Sequence, residues 1–111
     1  GDGAFGISMN EMSSCAREEW PSITMVIFRN YQWGAEKRNS ILWFDDNFVG
    51  TELDPELSYA KVADDCGLKG VTVKTMEETT AAIKQSCEDQ KKEIQPYGLI
   101  IILLEPSLIQ N

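Results

Sequence analysis

Apolar residues fall along this chain in short blocks separated by polar, glycine-marked or proline-marked stretches, and their spacing changes from block to block. Ile7, Met9, Met12, Cys15, Ala16 and Trp20 form an imperfect helical stripe, with Asn10, Glu11, Ser13, Arg17 and Glu18 largely on the other side. This spacing predicts a helix over about residues 8–19, stopped by Pro21 and Ser22. The apolar run from Ile23 to Phe28 predicts a strand buried on both sides. Between Arg29 and Leu53 no period holds. Tyr31, Trp33, Trp43, Phe44 and Phe48 stand among polar residues there, with Gly34 and Gly50 as breakers, which reads as a long loop of the kind that usually carries function.

Periodicity returns at Asp54-Pro55, which opens a predicted helix through Leu57, Ala60, Val62 and Ala63 that Gly67 ends. Residues 70–74 predict a strand. Thr75, with Glu78 three positions on, has the pattern of a capping box and starts a helix through Met76, Ala82, Ile83 and Cys87 to about Lys91. Pro96 and Gly98 mark a turn before the last apolar run, Leu99 to Leu104, and Pro106 closes it. Strands without alternation, spaced by helices, predict an α/β fold: a parallel sheet covered by helices on both faces. In such sheets ligands collect beyond the carboxyl ends of the strands. Gly1-Asp2-Gly3, read as a strand-to-helix turn, and Asn30, just past the first strand, both fall at that edge. A turn of this kind follows a buried strand, so the 111 residues are expected to be a single domain cut short on its N-terminal side.

Eighteen acidic residues against ten basic ones give a net charge of −8, which argues against a phosphate-backbone grip on nucleic acid. The longest apolar run is far shorter than the roughly 20 residues a membrane helix needs, so no membrane association is expected. Histidine is absent, and Cys15, Cys66 and Cys87 are odd in number and widely spaced, so neither a zinc site nor a disulfide framework is expected. Isolated thiols of this kind fit a reducing cytoplasm.

The candidate chemistry rests on oxygen donors. Asp2 offers a charged oxygen, Asn30 an amide oxygen and Gln32 a backbone carbonyl, a set suited to magnesium shared with phosphate oxygens. Gly3, Ala4, Phe5 and Gly6 precede the predicted helix and leave backbone N–H groups open to a pyrophosphate. Gly-Asp-Gly and a strand-end asparagine are equally common as plain turn residues. Lys37, with Trp33 and Glu36, admits either a phosphate or sulfonate contact or a solvated turn, and Trp43, Phe44 and Phe48 fit packing or a subunit interface.

Gly1-Asp2-Gly3, a helix, a buried strand and Asn30 at that distance resemble the thiamine diphosphate motif of the acetolactate synthase and pyruvate oxidase superfamily. The motif's usual pair of asparagines is here Arg29-Asn30, and Asn30 matches the position with the metal-ligand role. Gly1-Asp2-Gly3-Ala4-Phe5-Gly6-Ile7-Ser8-Met9-Asn10-Glu11, Gln32-Trp33-Gly34-Ala35-Glu36-Lys37 and Asn47-Phe48-Val49-Gly50-Thr51-Glu52-Leu53 look most like the sulfoacetaldehyde acetyltransferase branch. The resemblance implies the C-terminal diphosphate-binding domain of an enzyme using thiamine diphosphate and Mg2+, with Asp2, Asn30 and Gln32 on the metal and Asp2, Gly3, Ala4 and Asn30 around the cofactor. It implies conversion of sulfoacetaldehyde and phosphate to acetyl phosphate and sulfite in a homo-oligomer, dimer or tetramer, whose partner subunit supplies the acid that activates the cofactor ring. The 111 residues alone are then expected to be inactive. An acetolactate synthase or 2-oxo acid decarboxylase of the same superfamily, and a non-catalytic α/β interaction module, are the alternatives.

Overall fold

The computed structural model describes residues 1–17 and 21–91, together with the backbone of Leu99–Leu104. Asp2 is already helical: α1 spans Asp2–Ile7 with Gly1 at its N-cap, and its first bond runs from the Phe5 N–H to the Gly1 carbonyl at 3.1 Å. Ser8 then leaves the helical path, a 3₁₀ turn covers Met9–Glu11, and α2 covers Met12–Cys15. The single helix expected over residues 8–19 is thus replaced by short pieces that begin at Asp2, and its last positions lie outside the described residues. Ser13 shows one cause. Its hydroxyl donates to the Asn10 carbonyl at 3.0 Å, a local bond that competes with regular helix.

Strand β1 covers Ile23–Phe28, as the apolar run predicts, but the expected burial on both sides is not met in this chain, where Ile23, Met25 and Phe28 are exposed. The stretch that follows is not all loop, because α3 spans Gly34–Trp43 within it. No residue of α3 is buried and its apolar side chains do not gather on one face, so it carries no periodic signal. Trp43 and Phe44 at its end are 78% and 66% exposed, so they are not core residues of this chain. Helix α4 is Tyr59–Asp65, later than Asp54-Pro55, because Ser58 supplies the cap: its hydroxyl accepts the Lys61 N–H at 3.4 Å. Asp54 instead turns the chain locally, its Oδ1 taking the Glu56 N–H at 2.8 Å. Gly67, at φ +82, ends this segment in the left-handed region that glycine enters freely.

Strand β2 covers Lys69–Val73, one residue earlier than expected, and α5 runs from Met76 to Lys91. The Thr75 hydroxyl accepts the Glu78 N–H at 3.1 Å, while the Glu78 carboxylate reaches back to the Lys74 N–H at 2.7 Å, one residue beyond the usual capping box. Strand β3, Leu99–Leu104, lies between the other two in the order β1-β3-β2, and both pairings are parallel. Phe28 and Val73 both stand opposite Leu104, so the three carboxyl ends are level at one edge.

Two apolar clusters hold the helices to this sheet. Ile27 packs with Met12, Tyr59, Ala63 and Leu68, joined by Phe5 and Met9, which ties α1, α2 and α4 together. Val26 packs with Val73, Val71 and Ala82, which brings α5 to the strands. Adjacent strand residues point to opposite faces, so Val26 and Ile27 serve different clusters. Gly70 lets α4 approach β2 closely: a Cβ there would stand 1.9 Å from the Ala60 carbonyl oxygen. Since that neighbour is backbone, Gly70→Ala is expected to lower the unfolding free energy by about 1–3 kcal/mol or more, read from the denaturant midpoint.

Tyr59 crosses from this core to the strand edge, its hydroxyl donating to the Asp2 carbonyl at 3.3 Å and its ring meeting Phe5 edge-on. Burial raises its pKa, the negative charge of Asp2 adds to the rise, and Arg29 opposes it. A raised folded pKa gives stability that is complete below the unfolded value of about 10 and lost as pH climbs through the higher folded value. Tyr59→Phe is accordingly expected to flatten the decline in stability as pH rises above about 10, measured by urea unfolding at each pH.

Candidate functional site

Beyond Phe28 the chain turns sharply through Arg29, Asn30, Tyr31 and Gln32. Tyr31 takes φ 59, the left-handed region, which costs a residue with a side chain about 1–2 kcal/mol. Neighbouring bonds hold it there. The Leu53 N–H donates to the Tyr31 carbonyl at 2.8 Å, the Trp33 N–H donates to the Thr51 carbonyl at 2.7 Å, and Gln32 pairs with Glu52 as an isolated antiparallel bridge. The Tyr31 N–H itself donates to Asp2 Oδ2 at 2.9 Å. A carboxylate from the first turn of α1 is thereby fastened to the turn after β1.

Asp2 is 2% exposed, and its second oxygen meets Asn30. The Asn30 carboxamide directs one atom at two acceptors, the Gln32 carbonyl oxygen at 2.9 Å and Asp2 Oδ1 at 3.0 Å. With the amide nitrogen turned to them, both become hydrogen bonds. With the oxygen turned to them, Asn30 Oδ1 takes the Gln32 N–H at 3.3 Å, and oxygens of Asp2, Asn30 and Gln32 converge. Such a grouping is unfavourable unless a cation sits among the oxygens. Six oxygens about 2.1 Å from magnesium lie about 3.0 Å from their neighbours along each edge of the octahedron, and the observed spacings match. The donor set therefore fits a hard divalent cation. One carboxylate, one amide and one peptide carbonyl make this site, which is why no cluster of three or more His, Cys, Asp or Glu residues marks it among the described residues.

The same groups open on a cleft of about 270 Å³ lined by Asp2, Gly3, Ala4, Asn30, Gln32 and Trp33, among others. All five residues singled out in the sequence as cofactor or metal contacts border it. Gly3 and Ala4 lie in the first turn of α1, whose N–H groups have no partner within the helix and can meet an anion, although the six-residue α1 has little dipole to add. Trp33 forms a wall against α1, where a Cβ on Gly3 would come 3.1 Å from its ring. A larger cavity of about 400 Å³ lies between β2 and α5, bordered by Lys69, Val73, Ala82 and Ser86. It shares no lining residue with the cleft and has no comparable convergence of oxygens.

Lys37 does not border the cleft. It is ion-paired with Glu52 and stands 4.5 Å from the centre of the Phe48 ring, joining α3 to the segment behind Gln32. Glu36 does border the cleft. Sequence reasoning left Arg29 without a role, named Thr51–Leu53 only as part of a resembling string, and left out Tyr59. A tyrosine with positive φ has no composition signal, and a single isolated bridge has no alternation to detect.

The sequence of residues 1–94 matches the family described as thiamine pyrophosphate enzyme, C-terminal TPP binding domain. Among curated relatives, the chain is 68% identical over 102 residues to the probable sulfoacetaldehyde acetyltransferase of Rhizobium meliloti (strain 1021), covering 92% of this chain and 17% of that protein. It is 66% identical over 91 residues to the sulfoacetaldehyde acetyltransferase of Roseovarius nubinhibens, covering 82% and 15%. The mitochondrial acetolactate synthase catalytic subunit of Saccharomyces cerevisiae is 30% identical over 86 residues, covering 77% and 12%. The chain thus spans less than a fifth of the length of these relatives. With the match extending over most of its length, the chain belongs to the thiamine pyrophosphate enzymes, in the family of their C-terminal TPP binding domain.

Proposed function

We propose that this chain anchors the cofactor in a thiamine diphosphate- and Mg2+-dependent acetyltransferase that converts sulfoacetaldehyde and phosphate to acetyl phosphate and sulfite. The observation that carries the reading is the convergence of the Asp2 carboxylate, the Asn30 carboxamide and the Gln32 carbonyl, with one carboxamide atom 2.9 Å from the Gln32 oxygen and 3.0 Å from Asp2 Oδ1. In this role Asp2 Oδ1, Asn30 Oδ1 and the Gln32 carbonyl hold the cation. The N–H groups of Gly3 and Ala4 face the diphosphate, and Trp33 limits the space beside it. Tyr31 keeps Asp2 Oδ2 occupied, so that one carboxylate oxygen alone is directed to the metal. Thiamine diphosphate, when bound, supplies the nucleophilic carbon and electron sink for cleaving a carbon–sulfur bond and passing on a two-carbon unit.

Identity of 66–68% to proteins named for the acetyltransferase, against 30% to an acetolactate synthase, favours the first substrate class over acetolactate or 2-oxo acid chemistry. The whole protein on this reading has a sheet covered by helices on both faces, with further domain preceding Gly1. It is a cytoplasmic homo-oligomer whose partner subunit completes each site. Unpaired Cys15, Cys66 and Cys87 support a reducing compartment, and among the described residues no helix is long and apolar enough to cross a membrane. The 111 residues by themselves are proposed to lack turnover, since the resemblance assigns the ring-activating acid to the partner subunit.

Calorimetry on the full-length protein is expected to show thiamine diphosphate binding that depends on Mg2+. Asp2→Asn, which removes the clamp's one charged oxygen, is expected to weaken it about 100-fold. Magnesium-independent binding, or an unchanged variant, would count against the clamp and favour an interaction module. The same full-length protein is expected to form acetyl phosphate from sulfoacetaldehyde only when phosphate is present; acetolactate from pyruvate instead would move the assignment to the synthase.

A further inference from the structure

We propose that Arg29 is a positioning residue for the magnesium clamp, acting through Tyr31 to keep the backbone between two metal ligands in its left-handed conformation. The proposal rests on the clamp reading above and adds a residue that the reading does not use. Arg29 is 4% exposed and does not border the cleft, so it cannot meet the diphosphate directly. Its guanidinium carbon lies 4.1 Å from the centre of the Tyr31 ring and 5.7 Å from that of Tyr59. Its Nη2 donates to the carbonyls of Asp54 at 3.2 Å and Pro55 at 3.3 Å, while its buried Nε has no partner.

A guanidinium is seldom buried without a carboxylate beside it, and leaving one of its N–H groups unsatisfied adds to the penalty. Apart from the longer approach to Tyr59, the contacts of Arg29 serve one end: a cation fixed to the 54–55 carbonyls stands against the ring of Tyr31. Tyr31 separates Asn30 from Gln32 and gives its N–H to Asp2. If its φ relaxed to the right-handed region, the Gln32 carbonyl would swing away from the Asn30 amide and the Asp2 carboxylate would lose its tether. Outer contacts of this kind typically change metal affinity 10–100-fold when removed.

The test uses the full-length protein, with Mn2+ in place of Mg2+ so that binding is read by electron paramagnetic resonance, and with melting temperature measured in parallel. Arg29→Met is expected to weaken Mn2+ binding by about 10–100-fold. Adding Tyr31→Gly to that variant is expected to restore affinity to within about threefold of wild type, because glycine adopts positive φ without the steric penalty. A merely structural Arg29 would lower the melting temperature and leave Mn2+ affinity unchanged, and that result would overturn the proposal, as would failure of the glycine to restore binding. Should Arg29→Met not fold, Tyr31→Leu, which keeps the Cβ penalty but removes the ring, is expected to show the same loss, and retained affinity there would refute the idea. Wild-type protein that bound no Mn2+ would remove the clamp itself and this proposal with it.

Discussion

A carboxylate with almost no solvent contact, Asp2, is the constraint on which the strand edge is organised. Its charge needs partners wherever it is buried, and the structure assigns them unequally: Oδ2 to the Tyr31 peptide, Oδ1 to the side chain of Asn30. The turn after β1 is thereby held from two sides, by the carboxylate at the Tyr31 N–H and by the 51–53 backbone behind it. Removing the carboxylate would release the Tyr31 peptide and the Asn30 side chain together.

The electrostatics of the site are local, not global. A chain with net charge −8 is a poor general host for a diphosphate, yet on the proposed reading the cleft would offer oxygen ligands to a cation beside first-turn helix N–H groups. Cation and anion would then compensate each other within a few ångströms, with the distant acidic residues screened. Selectivity between ligands on this account comes from geometry at the strand edge, with no need for a basic surface.

Much of this was legible before any coordinates. Ile23–Phe28 and Leu99–Leu104 announced themselves by unbroken apolar runs, and Thr75 with Glu78 marked the start of α5, because burial and capping act on neighbouring residues. The five cleft residues were legible from motif spacing. What escaped has a common physical cause: α3 has neither a buried residue nor an apolar face, and α1 contains glycines that only the packing of Trp33 and Tyr59 explains. Tyr31 and Arg29 depend on contacts with Asp2, Asp54 and Tyr59, residues remote in sequence, and no window of adjacent positions contains that information.

The strand order has a further consequence for biosynthesis. β3, the latest of the described strands in sequence, is the hydrogen-bonding partner of both β1 and β2, which do not pair with each other. As the chain emerges from the ribosome, the edges of β1 and β2 that β3 will join stay open until residues 99–104 have been made. Parallel pairing across such separations is slow and leaves unpaired edges open to other chains. The short helices packed on Ile27 and Val26 can shelter the faces of the waiting strands, but not their edges. These two edges are therefore open to misassociation until β3 is released.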